Sequence, residues 1–177
     1  MGNLKAVPDE QADYEGLYRA HCARVVWLCR LLLADSHEAE EVAQEVFLKL
    51  FREYQAQGRP IAWGPWLTRV TLNACRDRRR SGWWKWWREH SEEFREADFS
   101  SDGLTPEEEV LSREESGRIW RSFRELSPRQ QEVFALRHLE GWSTEEVAET
   151  LGLTAGSVKR HLFRAIHHLR KALGGHS

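Results

Sequence analysis

Ser157, Lys159, Arg160, His161, Phe163 and Arg164 fall within about two turns of a single stretch, followed by His168 and Lys171. Guanidinium, ammonium and imidazole groups at this density donate to phosphates and to the acceptor edges of guanine, so the chemistry they suggest is binding of duplex DNA. A second set lies in the first half: Trp66, Arg69, Asn73, Arg76, Arg79 and Arg80. There an indole can stack on an unpaired base, an amide can pair with a base edge, and arginines can follow a backbone. For both sets the plain alternative is a solvated charged face. Bond-making chemistry has little to work with. The sequence shows no triad, metal-ligand cluster or phosphate-cradling loop, and Ser81 beside Arg78, Arg79 and Arg80 is only a faint nucleophile. No enzyme, cofactor, metal or small-molecule substrate is expected.

The first set needs a helix held at a steep angle, and the sequence spells out how. Ser127 with Gln130, and Ser143 with Glu146, form capping boxes that start two helices, and Pro128 suits the first turn of one of them. Thr154 caps a third helix, whose apolar residues Val158, Leu162, Ile166, Leu169 and Leu173 keep a helical spacing. Between the last two helices stand only Gly152, Leu153 and Thr154, a turn short enough for a helix-turn-helix.

The second set needs a bundle. Leu17, Tyr18, Val25, Trp27, Leu28, Leu31 and Leu32 mark a helix from Tyr14. Asp35 caps the next, with Glu38 expected to reach back, and the helix runs from about Ser36 to Tyr54. Ala39, Val42, Ala43, Val46, Phe47 and Leu50 form its inner stripe, leaving Glu41, Gln44, Glu45 and Lys49 outside. After Gln57-Gly58-Arg59-Pro60 a third helix spans about Ile61 to Arg80, with Trp66, Leu67, Val70, Leu72 and Ala74 as candidate core.

Composition refines the layout. The 177 residues carry a net charge of −2, but Ser81–Trp120 holds eleven acids against five bases, while Arg121–Ser177 holds nine bases against six acids. An acidic middle between more basic ends suits a protein that meets DNA with chosen faces. Residues 1–12 read as a tail and 89–104 as an acidic linker, and Thr105-Pro106 restarts helical order. The four indoles of Trp83-Trp84-Lys85-Trp86-Trp87 exceed what one helix face can bury, so some must meet a partner or the neighbouring domain. Cys22, Cys29 and Cys75 lack metal or disulfide spacing, and Cys22 and Cys29, seven apart on one helix face, read as core residues. Without a signal peptide or a spanning apolar run, a cytoplasmic protein is expected.

The layout is all-α, with two small helical domains joined by an acidic linker, and it resembles the bacterial extracytoplasmic-function (ECF) sigma factors over about Tyr14 to Leu173. The segment 37–51, His-Glu-Ala-Glu-Glu-Val-Ala-Gln-Glu-Val-Phe-Leu-Lys-Leu-Phe, is similar to the acidic-apolar pattern of sigma region 2. Trp66-Leu67-Thr68-Arg69-Val70-Thr71-Leu72-Asn73 looks like the segment that opens and reads the −10 element, although Gln57 stands where many relatives carry an aromatic residue. The C-terminal half looks like region 4, the −35 reader.

The resemblance implies region 2 over 13–88 and region 4 over 105–177. It places Glu41, Gln44, Glu45, Leu48 and Lys49 against the β′ clamp helices of core RNA polymerase, and region 4 by the β flap. It assigns Trp66, Arg69, Asn73, Arg76, Arg79 and Arg80 to the −10 element, with Asn73 beside a flipped-out base. Ser157, Lys159, Arg160, His161, Phe163 and Arg164 fall to the −35 element. It also implies promoter DNA as a ligand and an anti-sigma factor as a partner, one that can hold the chain at a membrane it does not itself enter. The rivals are a stand-alone helix-turn-helix regulator, which needs no 37–51 docking face, and a recombinase-like enzyme, which needs a nucleophile.

Overall fold

The computed structural model describes residues 13–56, 58–81 and 106–174, with side chains in the last segment described from Ser116 onward. Every regular element among the described residues is helical. The chain divides into two compact units, Met1–Phe94 and Arg95–Ser177.

In the first unit α1 (Tyr14–Leu33), α2 (Ser36–Ala56) and α3 (Trp63–Arg80) pack pairwise into a three-helix bundle. Asp13 caps α1 by accepting from the Gly16 amide at 2.8 Å. Ala34 ends α1 in the left-handed region (φ 64°), and Asp35 at once accepts from the Glu38 amide at 2.7 Å. One strained residue and one cap thus reverse the chain. Leu17, Val25, Leu28 and Leu32 close on Val42, Val46 and Leu50 and on Leu67 and Leu72, all buried.

Several positions differ from the sequence reading. The Glu38 side chain does not reach back to cap; it is buried and pairs with Arg78 on α3. Tyr18 is 41% exposed. On α3, Trp66 and Val70 are only half-buried, while Trp63, Thr68, Thr71 and Cys75 take interior places. The threonines are acceptable there because their hydroxyls donate to carbonyls one turn back, Thr71 to Leu67 at 2.7 Å and Thr68 to Gly64 at 3.0 Å. Cys29 and Cys75 are buried and Cys22 half-buried, all as free thiols.

In the second unit α4 (Pro106–Glu125) precedes α5 (Pro128–Phe134), which continues into a π-helical turn at Ala135–Leu139. Then come α6 (Thr144–Leu151) and α7 (Ala155–Leu173). Both capping boxes are formed: Ser127 and Gln130 exchange bonds of 3.0 and 3.3 Å, Ser143 and Glu146 bonds of 2.7 and 3.1 Å. Gly152 ends α6 at φ 64°, and the Thr154 hydroxyl accepts from the Ser157 amide at 3.1 Å to open α7. In α7 Val158, Ala165 and Leu169 are buried, Leu162 and Ile166 half-buried, and Leu173 is 45% exposed, beyond the reach of the core. Among the described residues no helix is long and apolar enough to cross a membrane. The tail at 1–12, Gln57, the Trp83–Trp87 cluster, the linker at 89–104 and the cap at Thr105 lie outside the described residues.

Candidate nucleic-acid interface

In α7 the side chains at 159, 160, 163 and 164 fan over the solvent side, with Lys159 and Phe163, and Arg160 and Arg164, each stacked one turn apart. Lys159, Arg160, Phe163 and Arg164 are all exposed, Phe163 at 72%. Its ring stacks on His167 at 6.2 Å. Ser157 is half-buried at the entry to the helix. His161 turns the other way. Its Nδ1 is enclosed without a hydrogen-bond partner. Burial first, then the charges of Arg129, Arg164 and Arg160, hold its pKa below the ordinary imidazole value, with Glu132 opposing. A neutral, half-buried imidazole is a poor phosphate ligand, so His161 belongs to the support of α7 more than to its outer face. His168 is likewise engaged, with Nε2 3.0 Å from Glu125.

On α3 the spacing 66, 69, 73, 76, 80 follows one stripe. Arg69, Asn73 and Arg80 are exposed, and Arg76, half-buried, donates to the Asn73 amide oxygen at 3.1 Å. Trp66 stands edge-on to Trp63 at 5.6 Å, and Trp63 in turn neighbours Tyr54 at 6.3 Å. The stripe therefore offers a flat indole at one end, an amide in the middle and guanidinium groups around it. Arg79 lies off this stripe and donates to the Leu32 carbonyl of α1. Ser81, the faint nucleophile, donates its hydroxyl to the Arg78 carbonyl at 2.7 Å and so finishes the helix.

The outer face of α2 stays open. Gln44, Glu45, Leu48 and Lys49 are exposed, Leu48 at 57%, and Glu41 is half-buried. Arg78 approaches this face from α3, on the side opposite the Trp66–Arg80 stripe. Its two terminal nitrogens bond three carboxylates: Glu38, Glu41 at 2.9 Å and Glu45 at 2.8 Å. Burial pulls the guanidinium pKa down, but the bonds to Glu41 and Glu38 and the neighbouring charges outweigh it, so the net shift is upward.

Residues 17–85 match the family described as Sigma-70 region 2, and residues 116–169 match Sigma-70, region 4. The ECF RNA polymerase sigma factor SigL of Mycobacterium tuberculosis is 32% identical over 95% of this chain and 93% of its own length. The chain belongs to the ECF RNA polymerase sigma factors. SigW of Bacillus subtilis, another, is 28% identical over 96% of this sigma factor and 91% of SigW. Among solved structures, CnrH in complex with the cytosolic domain of CnrY aligns with a TM-score of 0.63 at 22% identity, covering 93% of this chain and 89% of that one. The sigma factor RpoE in complex with the anti-sigma factor NepR from Bartonella quintana aligns with 0.66 at 20%, covering 92% and 97%. At these identities the two structures speak for the helical fold.

Of the residues that sequence reading assigned to this sigma factor's sites, the structure gathers Trp66, Arg69, Asn73, Arg76 and Arg80 on one stripe and Lys159, Arg160, Phe163 and Arg164 on another. It separates Arg79 and His161 from them. Sequence reading missed the clamp of Arg78 on three glutamates. Its signal was the spacing of Glu38, Glu41 and Glu45, which puts three acids on one side of α2 where like charges need a counter-ion.

Proposed function

We propose that this sigma factor binds core RNA polymerase through the outer face of α2, at Glu41, Gln44, Glu45, Leu48 and Lys49, and directs it to a two-part promoter. In this reading residues 13–88 act as region 2 and 105–177 as region 4, which sits by the β flap. The recognition helix α7 enters the major groove of the −35 element. Lys159 and Arg160 set position on phosphates, while Phe163 and Arg164 read base edges, with Ser157 at the helix entry. At the −10 element Trp66 stacks on a base that has left the duplex and Asn73 pairs with its edge. Arg69, Arg76 and Arg80 hold the backbone. Because the unpaired form alone gains these contacts, binding favours melting.

The observation that carries the reading is the uncovered α2 face with Leu48 in the open. A regulator that reads duplex DNA by itself has no use for it. The chain contributes recognition and no chemical step; nucleotide transfer belongs to the polymerase. The linker at 89–104 passes toward the RNA path, where its acids imitate nucleic-acid charge. Control by an anti-sigma factor, in the cytoplasm or at a membrane, is part of the same proposal, supported by the structural neighbour RpoE, which is seen in complex with the anti-sigma factor NepR.

Run-off transcription with purified core enzyme tests it. The full chain should start transcripts from discrete genomic sites only when core is present. Tight, specific binding to promoter duplex without core, and no core-dependent transcript, would favour a stand-alone regulator.

A further inference from the structure

Arg78 sits inside an arginine-rich run, Arg76 to Arg80, in which Arg76 and Arg80 lie on the stripe proposed for the −10 element and Arg79 donates to the Leu32 carbonyl. Its own position is different. The side chain is only 21% exposed and lies across α3 from the Trp66–Asn73 stripe, so it is turned away from any strand bound there. Both terminal nitrogens are committed to α2: one to Glu38 and Glu41, the other to Glu45. Of these, Glu38 is nearly sealed, at 7% side-chain exposure, whereas Glu41 and Glu45 remain 45% and 52% exposed. Arg78 uses one oxygen of Glu45, and among the described residues the second takes no hydrogen bond. Glu41 keeps its other oxygen within 3.3 Å of His37, a ring 82% exposed.

Three acids spaced three and four apart repel one another and, if free, would sample many rotamers. A planar guanidinium anchored by a buried carboxylate removes that freedom, because its fork fixes the direction of each bond. We propose that Arg78 is a positioning residue for polymerase docking: it holds Glu41 and Glu45 in advance so that their exposed edges meet cationic groups of the core enzyme. This rests on the reading of α2 as the docking face. Its consequence is that one arginine in a DNA-facing run governs affinity for the enzyme.

The test is a binding cycle with full-length protein and core RNA polymerase in the absence of DNA. Arg78→Lys keeps the charge and loses the fork, and should weaken core binding about tenfold, the effect of releasing two ordered side chains. In a Glu41→Gln, Glu45→Gln background the same change should add less than about twofold, because the groups it positions are gone. At saturating core, promoter-directed transcription by Arg78→Lys should return to that of the unaltered protein, which a folding defect would not allow. If Arg78→Lys lowers the melting temperature, the cycle is repeated in Glu38→Gln, where no buried carboxylate needs a cation; the same pattern is expected. Unchanged core affinity in Arg78→Lys, or full additivity with the glutamate pair, overturns the role. Should the Glu41→Gln, Glu45→Gln protein itself bind core normally, the docking face falls and the role with it. A normal loss there beside an unaffected Arg78→Lys overturns the role alone.

Discussion

Arg129 Nη1 lies 3.0 Å from Glu132 Oε2, one turn along α5, and the carboxylate end of the pair is only 2% exposed. A buried carboxylate that loses a partner is destabilising out of proportion to the bond it made, because its charge stays out of water. Arg129 is itself about a third exposed, which screens part of the effect. Arg129→Ala is expected to lower stability by about 1–3 kcal/mol, read as a reduced urea midpoint. Glu132→Gln, which removes the charge and keeps the shape, should lower it less.

His161 sets a pH dependence. Its pKa is lower folded than unfolded, so the unfolded chain binds more protons between the two values and stability rises with pH across that window. The contribution is complete above about pH 6.5, the unfolded value, and is lost as pH falls through the folded one. Denaturation followed from pH 7.5 to 5 should therefore show less pH-dependent loss for His161→Gln than for the unaltered protein. Equal slopes would mean that the imidazole is solvated.

The recognition helix should divide into two kinds of contact. Arg164→Ala is expected to weaken holoenzyme binding by about 1–3 kcal/mol on the preferred −35 sequence and much less on substituted ones. Lys159→Ala should weaken all sequences alike and lower the salt slope by about one. Titration at several salt concentrations against matched and mismatched −35 boxes separates them. Equal losses for Arg164→Ala on every box would make that residue a phosphate contact.

Two residues near φ 64° should respond in opposite directions. Ala34 carries a Cβ in the left-handed region, and Gly152 would acquire one there with no atom within 4 Å to strain against. Left-handed backbone costs an L-residue about 1–2 kcal/mol, so Gly152→Ala should destabilise by about that amount and Ala34→Gly should stabilise by less, since glycine is freer when unfolded. Thermal melts of both variants decide it.

Local signals made much of this readable in advance. Ser127, Ser143, Thr154 and Gly152 each fix a helix end through their nearest neighbours, so three helices of the second unit were legible residue by residue. The inner stripe of α2 was too, because Ala39, Val42, Ala43, Val46, Phe47 and Leu50 obey one period and all are buried. What escaped depends on partners far along the chain. Glu38 looked like a cap until Arg78, forty residues on, gave it a stronger bond. Thr68 and Thr71 looked polar until carbonyls one turn back satisfied them. The π turn at Ala135–Leu139 gave no local sign, and Arg137 there donates to the Trp142 carbonyl just beyond it. Among the site residues, Asn73 and Arg164 stood out by type, whereas the inward turn of His161 depended on which side of α7 the core occupies.

Phe163 holds its ring in water at 72% exposure, where hydrocarbon is least welcome. In the proposed −35 contact, covering it against a thymine methyl would contribute about 1.5–3 kcal/mol, and leaving the groove would forfeit all of that at once. Its charged neighbours act over a distance and hasten arrival; the benzyl group acts only on contact. On the proposed assignment, Phe163→Ala should therefore shorten the stay of region 4 on a −35 box and leave its rate of arrival almost unchanged, as stopped-flow association and dissociation would show.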